Sequence, residues 1–210
     1  MQVSLLSHTF QPEVVVAKAA WDCTHTEAMP VDYDYTQLIK NIIALEHYSV
    51  LEFADFCFRI SGISRAATAQ LTRHRIASYD QQSKRYNKYE NGLEIIIPES
   101  IQDEKLRNIF IKNSKQCIDL YKELIAEGIP AEDARYCLPI GAESIINIKM
   151  NARTLREFFA KRRCLKTQWE LRSIADQMFM ICNSVAPNLF YGKIIPCGQK
   201  KECKGCARNV

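Results

Sequence analysis

Residues 73–86 read RHRIASYDQQSKRY. Five of these fourteen side chains carry or can gain positive charge (Arg73, His74, Arg75, Lys84 and Arg85), and only Asp80 opposes them. Arginine forks and serine hydroxyls bind phosphate oxygens through short charge-assisted hydrogen bonds, so this stretch fits an anionic ligand. Basic residues at a helix C-terminus also neutralise its dipole. That simpler role covers Arg73-His74-Arg75 but leaves the return of basic character at Ser83-Lys84-Arg85 unexplained. A second basic run, Lys161-Arg162-Arg163, reads on its residues as an exposed charged face. Near the end, Cys197 precedes the CxxC pair Cys203 and Cys206. The spacing resembles a zinc site, but three thiols fall short of the four ligands a structural zinc takes, and no metal is expected.

These groups need a scaffold. QVSLLSH alternates apolar and polar residues as a strand does, and Pro12 suits the first turn of a helix over PEVVVAKAAWD. Helical spacing recurs in YTQLIKNIIALEH. Residues 53–61, FADFCFRIS, place Ala54, Phe56, Phe58 and Ile60 on one side and Phe53, Asp55, Cys57 and Arg59 on the other. The pattern predicts a strand ended by Gly62. Ser64 is positioned to cap a helix running to Arg75. On that helix Gln70 and Arg73, three apart, share a face, and the basic motif then runs into a loop. LEIIIP predicts a short strand over 93–98, residues 99–127 a long amphipathic helix before Gly128, and PAEDARYC a short helix. ESIINIKMN reads as a strand, RTLREFFAKRR as a helix, and TQWELRSIADQMFMICNSV as a last long helix. The expected class is α+β: a single domain over 1–190, its mixed or antiparallel sheet packed with long helices, and a basic cysteine-rich tail over 191–210.

Composition narrows the function classes. With 47% hydrophobic residues the chain can bury a core, and a net charge of +4 is mild for a nucleic-acid-binding domain. No apolar run nears the ~18 residues of a membrane span, and MQVSLLSHTFQPE lacks the pattern of a secretory leader. Nine scattered cysteines read as reduced thiols in a cytoplasmic protein.

Arg73-His74-Arg75, seven residues and then Ser83 resembles the signature of the flavin-dependent thymidylate synthases. Further blocks follow that family's order: HYSVLE (47–52), EDARYCLP (132–139), NARTLREFFAKR (151–162) and TQWELR (167–172). Together they cover roughly residues 1–190. The resemblance implies reductive methylation of deoxyuridylate (dUMP) to thymidylate (dTMP), with methylenetetrahydrofolate as carbon donor and NADPH reducing a bound FAD. It implies flavin contacts from Ser49, Arg73, His74, Arg75, Gln81, Asn151 and Arg153. For deoxyuridylate it implies Gln70, Arg73, Ser83, Lys84, Arg85 and Arg135. Arg162 stands where the family places the arginine that lies against uracil and favours ionisation of its ring nitrogen, with Arg163 pointing elsewhere. A homotetramer with shared active sites is implied as well.

Two positions depart from or strain the pattern. Glu157 occupies a place where His or Asn often meets the flavin, and a carboxylate there is given no role; Lys84 replaces a common Gly or Gln. His47 is a binding candidate only. Pro196-Cys197-Gly198-Gln199 resembles the Pro-Cys-Gln of flavin-independent thymidylate synthases, but a glycine interrupts it, and flavin chemistry needs no cysteine nucleophile. Two other readings stand beside this one: methylation of another pyrimidine nucleotide such as UMP, and a nucleic-acid module stacking bases on Tyr79 and Tyr86.

Overall fold

Phe56, Phe58 and Ile60 are fully buried while Asp55, Cys57 and Arg59 between them are not, the alternation a half-buried strand requires. The computed structural model describes residues 1–86, 89, 93–192 and 194; the tail motifs at Cys197, Cys203 and Cys206, and Pro196 to Gln199, lie outside the described residues. The strands β1 (Gln2–His8), β2 (Asp55–Ser64), β3 (Ser78–Gln81) and β4 (Glu143–Asn151) form one sheet in the order β1-β2-β4-β3. Thr9 N–H, just past β1, bonds to Asp55 O at the start of β2, and Ala152 N–H, just past β4, bonds to Ala54 O. Strand ends therefore meet strand starts, and these neighbours run antiparallel. The α+β class is observed, and no described helix is long and apolar enough to cross a membrane.

The chain packs as two contact units. The larger contains residues 2–60, 74–79 and those from 147 onward. In it Pro12 occupies the first turn of α1 (Pro12–Asp22), followed by α2 (Thr36–Ala44) and a 3-10 turn at Tyr48–Phe53. Phe158 and Phe159 of the later helix Ala152–Arg162 join Phe56 and Phe190, with ring centroids 5.6 Å apart for Phe56–Phe190 and 5.8 Å for Phe159–Phe190. Burying each such ring stabilises the fold by about 1.5–3 kcal/mol.

The smaller unit contains Met1, 61–73 and 80–146. Ser64 caps α3 (Arg65–Leu71) by accepting from Ala67 N–H at 3.0 Å. This helix ends four residues before the expected Arg75. There Thr72 donates both its N–H and its hydroxyl to Thr68 O, each at 3.1 Å. The residues that follow form β3, which the polar SYDQ pattern did not reveal. The long helix α4 (Glu104–Ala126) starts at its Asp103 cap rather than at 99, and α5 (Ala131–Ala134) is one turn, continued by a 3-10 turn at Arg135–Cys137. In the expected strand 93–98 only Ile95 forms a bridge, to Ala142. The remaining helices, both in the larger unit, are α6 (Ala152–Arg162) and α7 (Trp169–Val185).

Gly62 does not end β2. Its φ is +69°, a region open mainly to glycine, and a Cβ there would lie 2.8 Å from Met1 N. The strand bends and continues to buried Ile63 and Ser64. Gly62→Ala is expected to cost about 1–3 kcal/mol, visible in thermal unfolding as a fall in Tm of about 2–4 °C for each kcal/mol; an unchanged Tm contradicts this account.

Candidate active site

A cavity of about 560 Å³ in the smaller unit is lined by Arg65, Gln81, Gln82, Ser83, Lys84, Arg135, Tyr136, Leu138, Pro139 and Ile140. Its charged lining groups are all cations: Arg65, Lys84 and Arg135. The fold supplies their donors with partners that carry no net charge. Lys84 Nζ donates to Glu143 O at 2.8 Å and lies 4.6 Å from the centre of the Tyr89 ring. Arg135 Nε donates to Glu132 O at 2.9 Å, and Arg65 Nη1 reaches Thr68 Oγ1 at 3.5 Å. The positive field is therefore kept for a ligand.

Burial, and then the charge of Arg65, lowers the Lys84 pKa to about 8, with Glu143 acting weakly the other way. Gln81 is oriented by hydroxyls. Thr68 Oγ1 commits its proton to Arg65 O at 3.0 Å, so it accepts from Gln81 Nε2 at 3.0 Å, and Ser144 Oγ lies 2.9 Å from the same nitrogen. The acceptor end of the amide is what remains for a ligand.

Of the residues expected to hold a nucleotide, Ser83, Lys84 and Arg135 come together here, joined by Gln81. Gln70, exposed near the end of α3, and Arg73, exposed on the turn that follows, do not line the cavity. Nor does Arg85, which pairs with Glu132 at 2.5 Å. Arg65 was missed by motif reading. Its signal was available, since a cation in the first turn of a helix opposes the dipole and suggests another use for the charge.

The larger unit holds a second constellation. His74 packs edge-on against Phe158 with centroids 5.5 Å apart. Its buried Nε2 and the buried Nε of Arg162 have no hydrogen-bond partner among the described residues. Burial, then the charges of Lys161 and Arg162, push the His74 pKa below its usual value, and Glu157 opposes the shift. The imidazole is thus neutral at pH 7. Tyr79 donates its hydroxyl to His74 O at 2.7 Å, and burial raises its pKa to about 12 against the effect of Arg162. It closes the turn rather than offering a free stacking face.

Glu157 stands between Arg153 at 3.9 Å and Lys161 at 4.0 Å, which explains how α6 tolerates a carboxylate here. Arg153 also pairs with Glu52 at 2.6 Å. Asn151 caps α6, its carboxamide oxygen accepting from Thr154 N–H at 2.9 Å, so any ligand contact falls to its nitrogen. Ser49 and His47 are exposed, and Arg75 is exposed on the turn after α3. The TQWELR block builds a helix start: Gln168 caps α7 through Leu171 N–H, and Glu170 is buried.

The family model described as thymidylate synthase complementing protein matches residues 4–188. The chain belongs to that family. A flavin-dependent thymidylate synthase of Geobacter sulfurreducens is 44% identical over 199 residues, covering 90% of this chain and 85% of that protein. One of Clostridium tetani is 40% identical, with the same coverage, and one of Sulfurisphaera tokodaii is 40% identical over 90% of this chain and 76% of its own length. Family membership accounts for the order of the sequence blocks, while the cation cavity and the unpartnered His74 and Arg162 atoms are properties of this chain's own packing.

The Lys84 pKa has a consequence for ligand binding. Below about 8 the ammonium is charged in the free protein, and a bound phosphate raises its pKa further. Affinity for a nucleoside monophosphate should therefore fall as pH rises through about 8, and fall again below pH ~6, where the phosphate gains its second proton. Lys84→Met should weaken binding and flatten the alkaline limb, measured by calorimetric titration across pH; an unchanged limb in the variant excludes Lys84 as its source.

Proposed function

We propose that this protein is a flavin-dependent thymidylate synthase that converts deoxyuridylate to thymidylate, using methylenetetrahydrofolate as carbon donor and NADPH as reductant. The observation that carries the reading is the cavity lined by Arg65, Lys84 and Arg135 with no carboxylate among its lining residues, in a chain of this family. Arg65, Lys84, Ser83 and Arg135 would take the phosphate, and the acceptor end of Gln81 would meet a donor of the nucleotide.

The buried, unpartnered His74 Nε2 and Arg162 Nε amid positive charge fit a planar anionic cofactor bearing acceptor atoms. FAD would be held by His74 with Arg73, Arg75, Ser49, Asn151 and Arg153. When bound, it supplies the hydride that completes the methyl group. The Arg162 guanidinium would stabilise negative charge on the uracil ring as the ring becomes nucleophilic. The neutral imidazole of His74 can donate or accept one hydrogen bond without adding charge. Met178, Phe159 and Leu171 are all buried, and Phe159 of α6 packs edge-on against Phe179 of α7.

The working form is proposed to be a cytoplasmic homotetramer. The long helix α4 buries only Ser114, Ile118 and Tyr121 and leaves Leu106 59%, Ile109 47% and Leu120 46% exposed, an apolar face suited to another copy. Sedimentation giving a fully active monomer would refute the assembly.

Three expected outcomes test the chemistry. The purified protein is yellow, with a flavin spectrum; Arg73→Ala and Arg75→Ala lose bound flavin, each lost arginine contact costing about 1.5–3 kcal/mol. Undiminished occupancy in both removes them from the flavin site. In parallel assays deoxyuridylate is methylated and UMP is not, the reverse result assigning the other nucleotide. Arg162→Ala lowers thymidylate formation by about 10²–10³ while flavin reduction by NADPH persists, and Lys161→Ala, on the exposed neighbour, changes little. Equal losses in both variants would make the run a general basic face.

A further inference from the structure

The run Lys161-Arg162-Arg163 looks uniform in sequence, yet its members are held in three different ways. Lys161 is exposed beside Glu157. Arg162 is half-buried, its Nε enclosed without a hydrogen-bond partner among the described residues. The Arg163 side chain is only 12% exposed: Nε lies 2.6 Å from Asp176 Oδ1. Its guanidinium carbon sits 3.9 Å from the centre of the Phe179 ring, and Nη1 donates to Ile194 O at 3.3 Å. Phe179 in turn packs edge-on against Phe159 of α6, with centroids 5.5 Å apart. Arg163 is therefore not an idle neighbour of Arg162 but a residue fixed to α7.

We propose that Arg163 is a positioning residue for Arg162, fixing the end of α6 against Asp176 and Phe179 of α7 so that the Arg162 guanidinium keeps its aim. This rests on the reading of Arg162 as the cation that faces the uracil. The aim of an arginine depends on the backbone that carries it as well as on its own torsions. That backbone is the last turn of a helix, where hydrogen bonds run out and ends fray. The adjacent residue removes the freedom. A planar guanidinium stacked on a ring and paired to a carboxylate has one orientation, unlike a lysine ammonium. Asp176 is 48% exposed, so the pair adds little to stability, and its geometric effect is the larger one. Thr167 Oγ1, donating to Lys161 O at 3.4 Å, holds the same turn from the loop side.

The test uses the flavin-loaded protein carrying Arg163→Ala, Arg163→Lys and Asp176→Asn, with Arg162→Ala and the Arg162→Ala/Arg163→Ala double variant. Arg163→Ala should lower kcat for thymidylate formation by up to about 10², leaving KM for deoxyuridylate, flavin content and NADPH-driven flavin reduction near the parent. Arg163→Lys should recover only part of kcat. In the Arg162→Ala background, Arg163→Ala should cost nothing more, because its target is gone. A second readout needs no turnover: the His74 pKa measured by NMR. His74 faces Lys161, Arg162 and Glu157 of α6, the Phe158 ring and Tyr79. Removing the Asp176 charge would by itself lower the His74 pKa, whereas displacing Arg162 raises it, so Asp176→Asn should raise it. The proposal is overturned if Arg163→Ala keeps parental kcat, if its losses add fully to those of Arg162→Ala, if flavin content and flavin reduction fall in step with kcat, or if Asp176→Asn lowers the His74 pKa. If Arg162→Ala itself turns over normally, the assignment of Arg162 fails instead.

Discussion

Arg65, Lys84 and Arg135 repel one another across one cavity, and the smaller unit has to be built so that this repulsion is tolerated without being cancelled. Carboxylates at the lining would quench the field a phosphate needs. The structure instead gives Lys84 and Arg135 backbone carbonyl oxygens and gives Arg65 a hydroxyl. These dipoles satisfy N–H groups while leaving the net charge intact. The residual cost appears in Lys84, whose proton is held less tightly, from burial first and then from the Arg65 charge. An incoming anion relieves that cost, so destabilisation of the empty pocket becomes affinity for the ligand.

The larger unit meets a different requirement. Among the described residues, His74 and Arg162 each present a buried nitrogen without a partner, and such atoms destabilise a fold unless something completes them. They persist because the surroundings are rigid. Phe158 and Phe159 anchor α6 in the aromatic core, Asn151 caps its start, and the Arg163–Asp176–Phe179 contact secures its end. The motif blocks thus divide between chemistry and carpentry. Asn151, Gln168 and Glu170 begin helices, and buried Arg156 donates to Leu189 O and Tyr191 O, while Arg162 is left unbonded at Nε.

Much of the scaffold was legible because it depends on local periodicity. The in–out alternation of FADFCFRIS survived residue by residue, Pro12 and Ser64 began helices where a proline and a serine should, and ESIINIKMN became β4 over the same residues. The failures share a cause. Gly62 looked like a terminator, yet a positive φ lets a strand bend and continue. SYDQ has no apolar face, so only pairing beside β4 makes it a strand, and LEIIIP, apolar enough for one, has just the single bridge at Ile95. The SRAATAQL helix ended at Leu71 because the chain had to turn toward the β3 pairing, which its own residues do not announce.

Residue identity and order alone determined the family, the basic character of the ligand site, and the presence of Ser83, Lys84 and Arg135 among its candidates, because charge and hydrogen-bonding type belong to the side chain wherever it lies. What each cation does was decided only by the tertiary structure. Arg65, unremarked in sequence, enters the cavity; Arg85 is taken up by Glu132; Arg162 stays unbonded at Nε and Arg163, one residue on, is locked to α7. The partners that separate these arginines lie 13 to 47 residues away along the chain, as Arg163 to Asp176 and Arg85 to Glu132 show. No local pattern encodes such distances; folding closes them.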